Sequence, residues 1–221
     1  MKEIYDFHSH TSISDGDLSP IELIRRAAAK GYRAIAITDH CGLGEMARAI
    51  TETAKDCALA GQYWDIMAIP GIELTHVPAK AIPHLARQAK ALGARIVVVH
   101  GETIVEPVEP GTNLAALQCP DVDILAHPGL LTLEEAELAA HRDIFLEISA
   151  RRGHSLTNGL VAKLASQTGA KLLLNSDSHG DRDLLSWELA HAIARGASLD
   201  DDQVESMLQV HPRQLLEKLQ R

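Results

Sequence analysis

The chain is predicted to be an α/β protein of seven strand–helix units, either a closed barrel or an open doubly wound sheet. Three observations lead there. Short apolar runs alternate with longer amphipathic stretches from one end to the other. The runs are near-continuous in Ile, Val and Leu, as parallel strands covered on both faces require. No Gly/Ser-rich or charge-run linker interrupts the alternation, so residues 1–221 are expected to form one domain.

Taken in order, the first strand is expected over Ile4–Phe7 and the first helix over Pro20–Lys30, with Ser19 as N-cap, Pro20 at the first helical position and Gly31 just past the end. Strand Ala34–Thr38 leads to helix Gly44–Gly61, and strand Ile66–Ile72 to helix Ala79–Leu92, which Gly93 stops. Strand Ile96–Val99 precedes Leu114–Gln118, Val122–Ala126 precedes Leu133–Ala140, and Ile144–Ile148 precedes Leu156–Thr168, stopped by Gly169. The last unit is Lys171–Leu174 with Asp181–Arg195, stopped by Gly196. Asp200–Gln209 and Pro212–Gln220 read as one or two closing helices. The longest irregular stretch, Thr103 to Asn113 with Pro107, Pro110 and Gly111, is either a cover over the strand ends or an inert loop.

A formal net charge of −9 disfavours a protein that holds nucleic acid by broad phosphate neutralisation. Cys41, Cys57 and Cys119 are few, widely spaced and odd in number, which fits a reducing compartment rather than a disulfide framework. The N-terminus MKEIYDFHSH has no basic-then-apolar leader, and no apolar run approaches the roughly 18 residues that span a bilayer. A cytoplasmic protein without a membrane partner is expected.

Histidine is the unusual count, at 12 against two Phe, three Tyr and two Trp, and these histidines follow the strands. His8-Ser9-His10, with Asp15 in the loop, comes after the first; Thr38-Asp39-His40 after the second; Gly71-Ile72-Glu73 ends the third. The fourth ends in His100, the fifth in His127-Pro128-Gly129, and the seventh runs into Ser176-Asp177-Ser178-His179. In a barrel of parallel strands these ends converge on one mouth. Two residues apart on a strand, His8 and His10 point to one face and reach one ion, and Asp177-x-His179 repeats the device. Imidazole with carboxylate suits Zn, Mn or Fe(II), whereas a thiolate-rich structural zinc site is not on offer. Any one of these motifs is weak, since Ser14-Asp15-Gly16 alone is a turn; nine such groups at corresponding strand ends make a metal centre.

Asp6-Phe7-His8-Ser9-His10-Thr11 with Ser14-Asp15-Gly16, Ile37-Thr38-Asp39-His40, Pro70-Gly71-Ile72-Glu73, Val99-His100, Ala126-His127-Pro128-Gly129, Leu146-Glu147-Ile148 and Asn175-Ser176-Asp177-Ser178-His179 together resemble the PHP (polymerase and histidinol phosphatase) family, in order, over residues 6 to 179. The resemblance implies a distorted seven-stranded (β/α)7 TIM-like barrel with its active site at the C-terminal ends of the strands, and a single PHP domain over 1–221. It implies up to three divalent metal ions: His8, His10, Glu73 and Asp177 on one, Glu73 as a bridge with His100 and His127 on a second, and Asp15, His40 and His179 on the third. Some members carry histidine where this chain has Asp15. The implied activity is a metal-dependent phosphoesterase, foremost a phosphomonoesterase like histidinol phosphatase acting on a small phosphorylated metabolite. Ions about 3.5–4 Å apart share and acidify a water and stabilise the entering and leaving oxygens at phosphorus, so no protein nucleophile is needed.

Other residues have assigned or competing readings. Glu147 either orients a ligand from behind or is a pairing partner within the barrel. His76 reads as a loop residue, and His84, His141, His191 and His211 as surface residues. Glu73 and Asp177 are the catalytic carboxylates. Arg151 and Arg152 follow the sixth strand, and at least one of them is expected to supply the phosphate grip, with Gly153 allowing close approach and Ser155 capping the next helix; the alternative is a surface loop that the two arginines decorate. An exonuclease or phosphodiesterase is the alternative enzyme, and a non-catalytic metal-stabilised binding module the alternative of another class. An amidohydrolase barrel fits less well, having no use for His40 and Glu73, and a Ser/His/Asp triad lacks Gly-x-Ser-x-Gly.

Overall fold

The fold, described for residues 2–220 in a computed structural model, is a nearly closed barrel. Its strands are β1 (Ile4–Asp6), β2 (Tyr32–Ile37), β3 (His40–Cys41), β4 (Met67–Leu74), β5 (Ile96–His100), β6 (Ile124–Ala126), β7 (Phe145–Ser149) and β8 (Leu172–Asn175). Seven of them pair in parallel, in the order β1, β2, β4, β5, β6, β7, β8. The two-residue β3 resumes the path of β2 beyond Thr38-Asp39 and sets His40 opposite Glu73 of β4.

The seam between β1 and β8 closes only past the strand ends. There Ser9 bridges Ser178, the His10 N–H donates to the Ser178 carbonyl at 2.8 Å, and the Asp177 N–H donates to the His8 carbonyl at 3.0 Å. Of the two architectures the sequence allowed, the molecule is therefore the barrel.

Helices α1 (Pro20–Ala29), α2 (Met46–Tyr63), α3 (Ile82–Ala91), α4 (Thr112–Gln118), α5 (Leu133–Arg142), α6 (Asn158–Thr168) and α7 (Trp187–Gly196) alternate with the strands, and α8 (Asp201–Glu205) and α9 (His211–Lys218) follow with a π-helical turn, Ser206–Val210, between them. Period-two alternation divides the strand residues between two environments. Tyr5, Phe7, Ala34, Ala36, Ile69, Ile96, Val98, Ile124, Phe145 and Leu173 pack together inside the barrel, with Leu215 of α9 joining them. The intervening residues, such as Ile72, Val97, Leu125 and Leu146, pack outward against the helices. Glu73, His100 and Glu147 continue the inward alternation of β4, β5 and β7 to their C-terminal ends, so the strand period aims them into the mouth.

Several boundaries differ from the sequence expectation. Gly31, Gly93 and Gly169 take positive φ at helix ends, but Gly196 is the last residue of α7 and Ser198 (φ 68°) makes the left-handed turn instead. α7 starts at Trp187 rather than Asp181, because Ser186 caps it by accepting the Leu189 N–H while 181–183 forms a separate 3-10 turn. Ser155 does not cap a helix: it lies inside the 3-10 turn His154–Thr157 that precedes α6. Cys41, Cys57 and Cys119 are free and buried. Among the described residues no helix is long and apolar enough to cross a membrane.

Candidate metal centre

Glu73 is the hub of the mouth. Fully buried at the end of β4, it places Oε1 3.2 Å from His8 Nε2, 3.3 Å from His100 Nδ1 and 3.6 Å from His127 Nε2, and Oε2 2.5 Å from His40 Nδ1. The Thr75 hydroxyl donates to the same Oε2 at 2.8 Å. Burial would raise the carboxyl's pKa, but His8, His100 and His40 outweigh it and hold Glu73 well below the usual carboxylate range.

Around this hub the nine expected ligand residues converge in overlapping groups. His8, His10 and Asp177 have donor atoms close enough to hold one ion, and so do His10, Asp15, His40 and His179. Asp177 Oδ1 lies 3.2 Å from His10 Nε2, and Asp15 Oδ1 lies 3.3 Å from His179 Nε2 and 3.6 Å from His40 Nε2. The two-residue device works for His8 and His10, but Asp177 and His179 separate into different groups. Asp177 lies past β8 with φ 51°, so strand alternation no longer governs it. His127 (φ 26°) also holds a left-handed backbone, a cost that ordinary residues bear only where surrounding structure enforces it.

Neighbouring residues hold the ligands in place. Glu147 Oε2 lies 2.7 Å from His8 Nδ1 and accepts the Asn175 side-chain N–H at 3.0 Å, which turns His8 Nε2 toward Glu73 and Asp177. This contact with an expected ligand fits the first of the two readings of Glu147, although its carboxylate also lies close enough to His8 and His127 to join a metal group itself. Asp39 accepts from Thr11 N–H, Thr11 hydroxyl and Ser14 hydroxyl, each at 2.7 Å, clamping the loop that carries Asp15. Gly16 belongs to this turn because a Cβ there would come within 2.5 Å of the His10 carbonyl.

The donor set fits divalent cations. Buried His8 Nε2, both ring nitrogens of His10 and of His100, His127 Nδ1 and Glu73 Oε1 have no hydrogen-bond partner, and such orphaned polar atoms are costly unless something else satisfies them. Burial, with neighbouring imidazoles, lowers His10 and His127 well below the usual histidine range, so both are neutral and ready to donate a lone pair. His8 goes the other way: the combined pull of Glu147, Glu73 and Asp177 overcomes burial and raises it well above the usual range. Burial pushes Asp177 up to about 8, with Glu147 and Glu73 adding to it against the pull of His8. Without cations, the buried carboxylates draw protons onto His8, His40 and His100, and bound cations would take the place of that positive charge.

The mouth opens as a cavity of about 380 Å³. Arg151 lines it, donating from Nη1 to His179 Nδ1 at 2.7 Å and to the Asp177 carbonyl at 3.2 Å. Arg152 does not line the mouth; it borders a neighbouring cavity, so of the two arginines only Arg151 is positioned at the metal ligands.

Three residues that the motifs did not single out as ligands also reach the mouth. Glu106, in the 103–113 loop, lines the mouth, with Oε2 3.1 Å from His100 Nε2 and 3.2 Å from His76 Nε2. His154, buried and with its Nδ1 2.8 Å from the Thr103 hydroxyl, stacks on His127 with ring centroids 4.0 Å apart. The signal available for them was proximity to a strand end, which His76 and His154 share with many inert loop residues.

A model of the PHP domain family matches residues 6–180. An uncharacterised protein of Methanocaldococcus jannaschii is 49% identical over 97% of this chain and 99% of its own length. A protein of Thermoanaerobacter sp. (strain X514) named probable phosphatase is 28% identical, covering 92% of this chain and 90% of that protein. Among solved structures, the histidinol phosphate phosphatase of Lactococcus lactis subsp. lactis, complexed with zinc, L-histidinol and phosphate, aligns over 90% of this chain and 95% of that one with a TM-score of 0.63 at 15% identity, a likeness of fold.

Proposed function

The chain belongs to the PHP domain family, and from that premise we propose that it is a metal-dependent phosphoesterase, a phosphomonoesterase of the histidinol-phosphatase kind acting on a small phosphorylated metabolite, with residues 1–221 as one catalytic domain. The observation that carries the reading is Glu73, whose two buried oxygens face imidazoles delivered from four different strands or strand ends.

In this reading His8, His10, Glu73 and Asp177 hold one ion, Glu73 bridges to a second with His100 and His127, and Asp15, His40 and His179 hold a third, with Zn, Mn or Fe as occupant. When bound, these cations supply an acidified water and charge compensation at phosphorus. The chain's own residues do the rest. Arg151, anchored beside Asp177 and His179, grips non-bridging phosphoryl oxygens with its planar fork and stabilises charge as the bond breaks. Glu147 keeps His8 in one orientation, and Glu106 stands over His100 at the outer edge of the mouth. The reading is supported by the probable-phosphatase name of the Thermoanaerobacter relative and the zinc and phosphate in the Lactococcus structure.

The test is hydrolysis by the purified chain, chelated and then reconstituted with Zn, Mn or Fe, against a panel of phosphomonoesters and phosphodiesters. Metal-dependent release of phosphate from monoesters is expected. Turnover confined to diesters would replace the monoesterase reading, and no turnover by a metal-loaded chain would sink catalysis altogether.

A further inference from the structure

Behind Arg151, as seen from the metal mouth, lies a second cavity of about 380 Å³. The two cavities share Arg151 and Asp177, which form their common wall. Arg152 and Arg182 line only the second one, and both are exposed. Arg26, Arg33, Arg48, Arg195 and Arg213 each pair with a carboxylate. Among the described residues Arg152 and Arg182 have no carboxylate within salt-bridge distance, as is also true of Arg25, Arg95 and Arg142, but these two alone of that set line a cavity beside the mouth. The acid beside them, Asp183, accepts the His179 backbone N–H at 2.9 Å. Leu185 and the half-exposed Leu189 supply an apolar side.

In a chain of net charge −9, a cavity beside the metal mouth that is lined by three guanidiniums, Arg151, Arg152 and Arg182, against two acids, Asp177 and Asp183, favours one kind of occupant, an anion. A phosphoester gripped at the mouth by Arg151 must project its leaving group to one side, and a cavity of this volume, at the small end of the range for ligand sites, receives a fragment of sugar or nucleoside size.

Resting on the phosphoesterase reading, we propose that this cavity is the leaving-group subsite and that the substrate's leaving group carries a second anionic group, phosphate or carboxylate, held by Arg152 and Arg182, with its carbon frame against Leu185 and Leu189. A cationic amino-alcohol leaving group meets like charge here and is selected against. The substrate class thus departs from that of an enzyme acting on an amino-alcohol phosphate.

Matched substrates test this on the metal-loaded full chain. Values of kcat/KM are compared for a hexose 1,6-bisphosphate, the hexose 6-phosphate and O-phosphoethanolamine, and Kd by calorimetry for hydrolysis-resistant phosphonate analogues of the two sugar esters. The doubly anionic member should lead the singly anionic one by at least about tenfold in both measurements, the size of one charge-assisted hydrogen bond, with the amino-alcohol ester poorest. In the Arg152→Gln/Arg182→Gln double variant, shown folded by an unchanged melting temperature, that ratio should fall toward one. Equal Kd values on the unaltered chain, or a ratio that survives the double substitution, overturn the subsite. Absence of turnover on every ester counts against the phosphoesterase reading, while the two Kd values still decide the subsite.

Discussion

At the residue scale, the mouth concentrates its function in groups that cannot be exchanged for near-isosteres. Glu73→Gln keeps the shape of the side chain but removes the charge that four imidazoles face. The variant is expected to fold and to lose turnover, with metal content reduced; near-normal rates would refute the bridging role. His179→Ala, in the group with half-exposed Asp15, should retain part of the activity or occupancy. Arg151→Ala is expected to cost at least about tenfold in kcat/KM on a simple monoester, roughly 1.4 kcal/mol, with metal content unchanged. The check is kinetics on Arg151→Ala and Arg152→Ala side by side; a loss confined to Arg152→Ala would put the grip elsewhere. Eight of the nine expected ligand residues were legible because they lie at, or within about four residues of, the C-terminal end of a strand, whereas Asp15 was legible only through its Ser14-Asp15-Gly16 motif. Glu106 was not, since its position depends on how a loop of eleven irregular residues, 101–111, runs beside the mouth, and the choice between Arg151 and Arg152 depended on the path of the loop after β7.

At the element scale, the closing helix α9 acts as the plug at the N-terminal end of the barrel. Leu215 is fully buried among the inward residues of the strands, and Leu215→Ala should cost about 2–5 kcal/mol of unfolding free energy, read by denaturant melts. His211, at the first turn of α9, has its Nδ1 2.8 Å from the Leu172 carbonyl, contrary to the expectation of a surface residue. Burial, with Lys171 adding, depresses its pKa below the usual histidine value despite that hydrogen bond. A depressed imidazole contributes stability that is fully present above its unfolded pKa, about 6.5, and is lost as pH falls through the lower folded value. The drop in melting temperature between pH 7 and pH 5 should therefore be smaller in His211→Asn than in the unaltered chain. Identical drops in the two proteins would show that His211 is not part of the acid response.

At the scale of the whole molecule, metal occupancy and fold are expected to be coupled. The buried donors at the mouth belong to six strands or strand ends, and the β1–β8 seam is closed by the backbone of His8, His10, Asp177 and Ser178. Cations held there would join the two edges of the barrel. Protein purified without chelator is expected to carry more than one equivalent of transition metal by elemental analysis. Stripping it should lower the melting temperature by about 5 °C or more, since occupancy of a tight site adds a few kcal/mol to a domain of this size. At most one equivalent after reconstitution would contradict a three-ion centre, and an unchanged melting temperature would mean that the seam holds without metal.

The amino-acid sequence by itself determined the alternation of strands and helices, the order of the ligand motifs and the end of the strands where they gather. Those properties are local: apolar runs of period two, helix stops at Gly31, Gly93 and Gly169, and expected ligands placed mostly within a few residues of a strand end. Only the tertiary structure decided that the sheet closes on itself, because closure depends on β1 and β8, about 170 residues apart, meeting past their own ends. The same holds for Glu106 over His100, His154 against His127, and Arg152 turned to a second cavity beside Arg182. Each of these joins residues from different loops, and loop paths follow from packing and backbone turns that the spacing of residues along the chain does not specify.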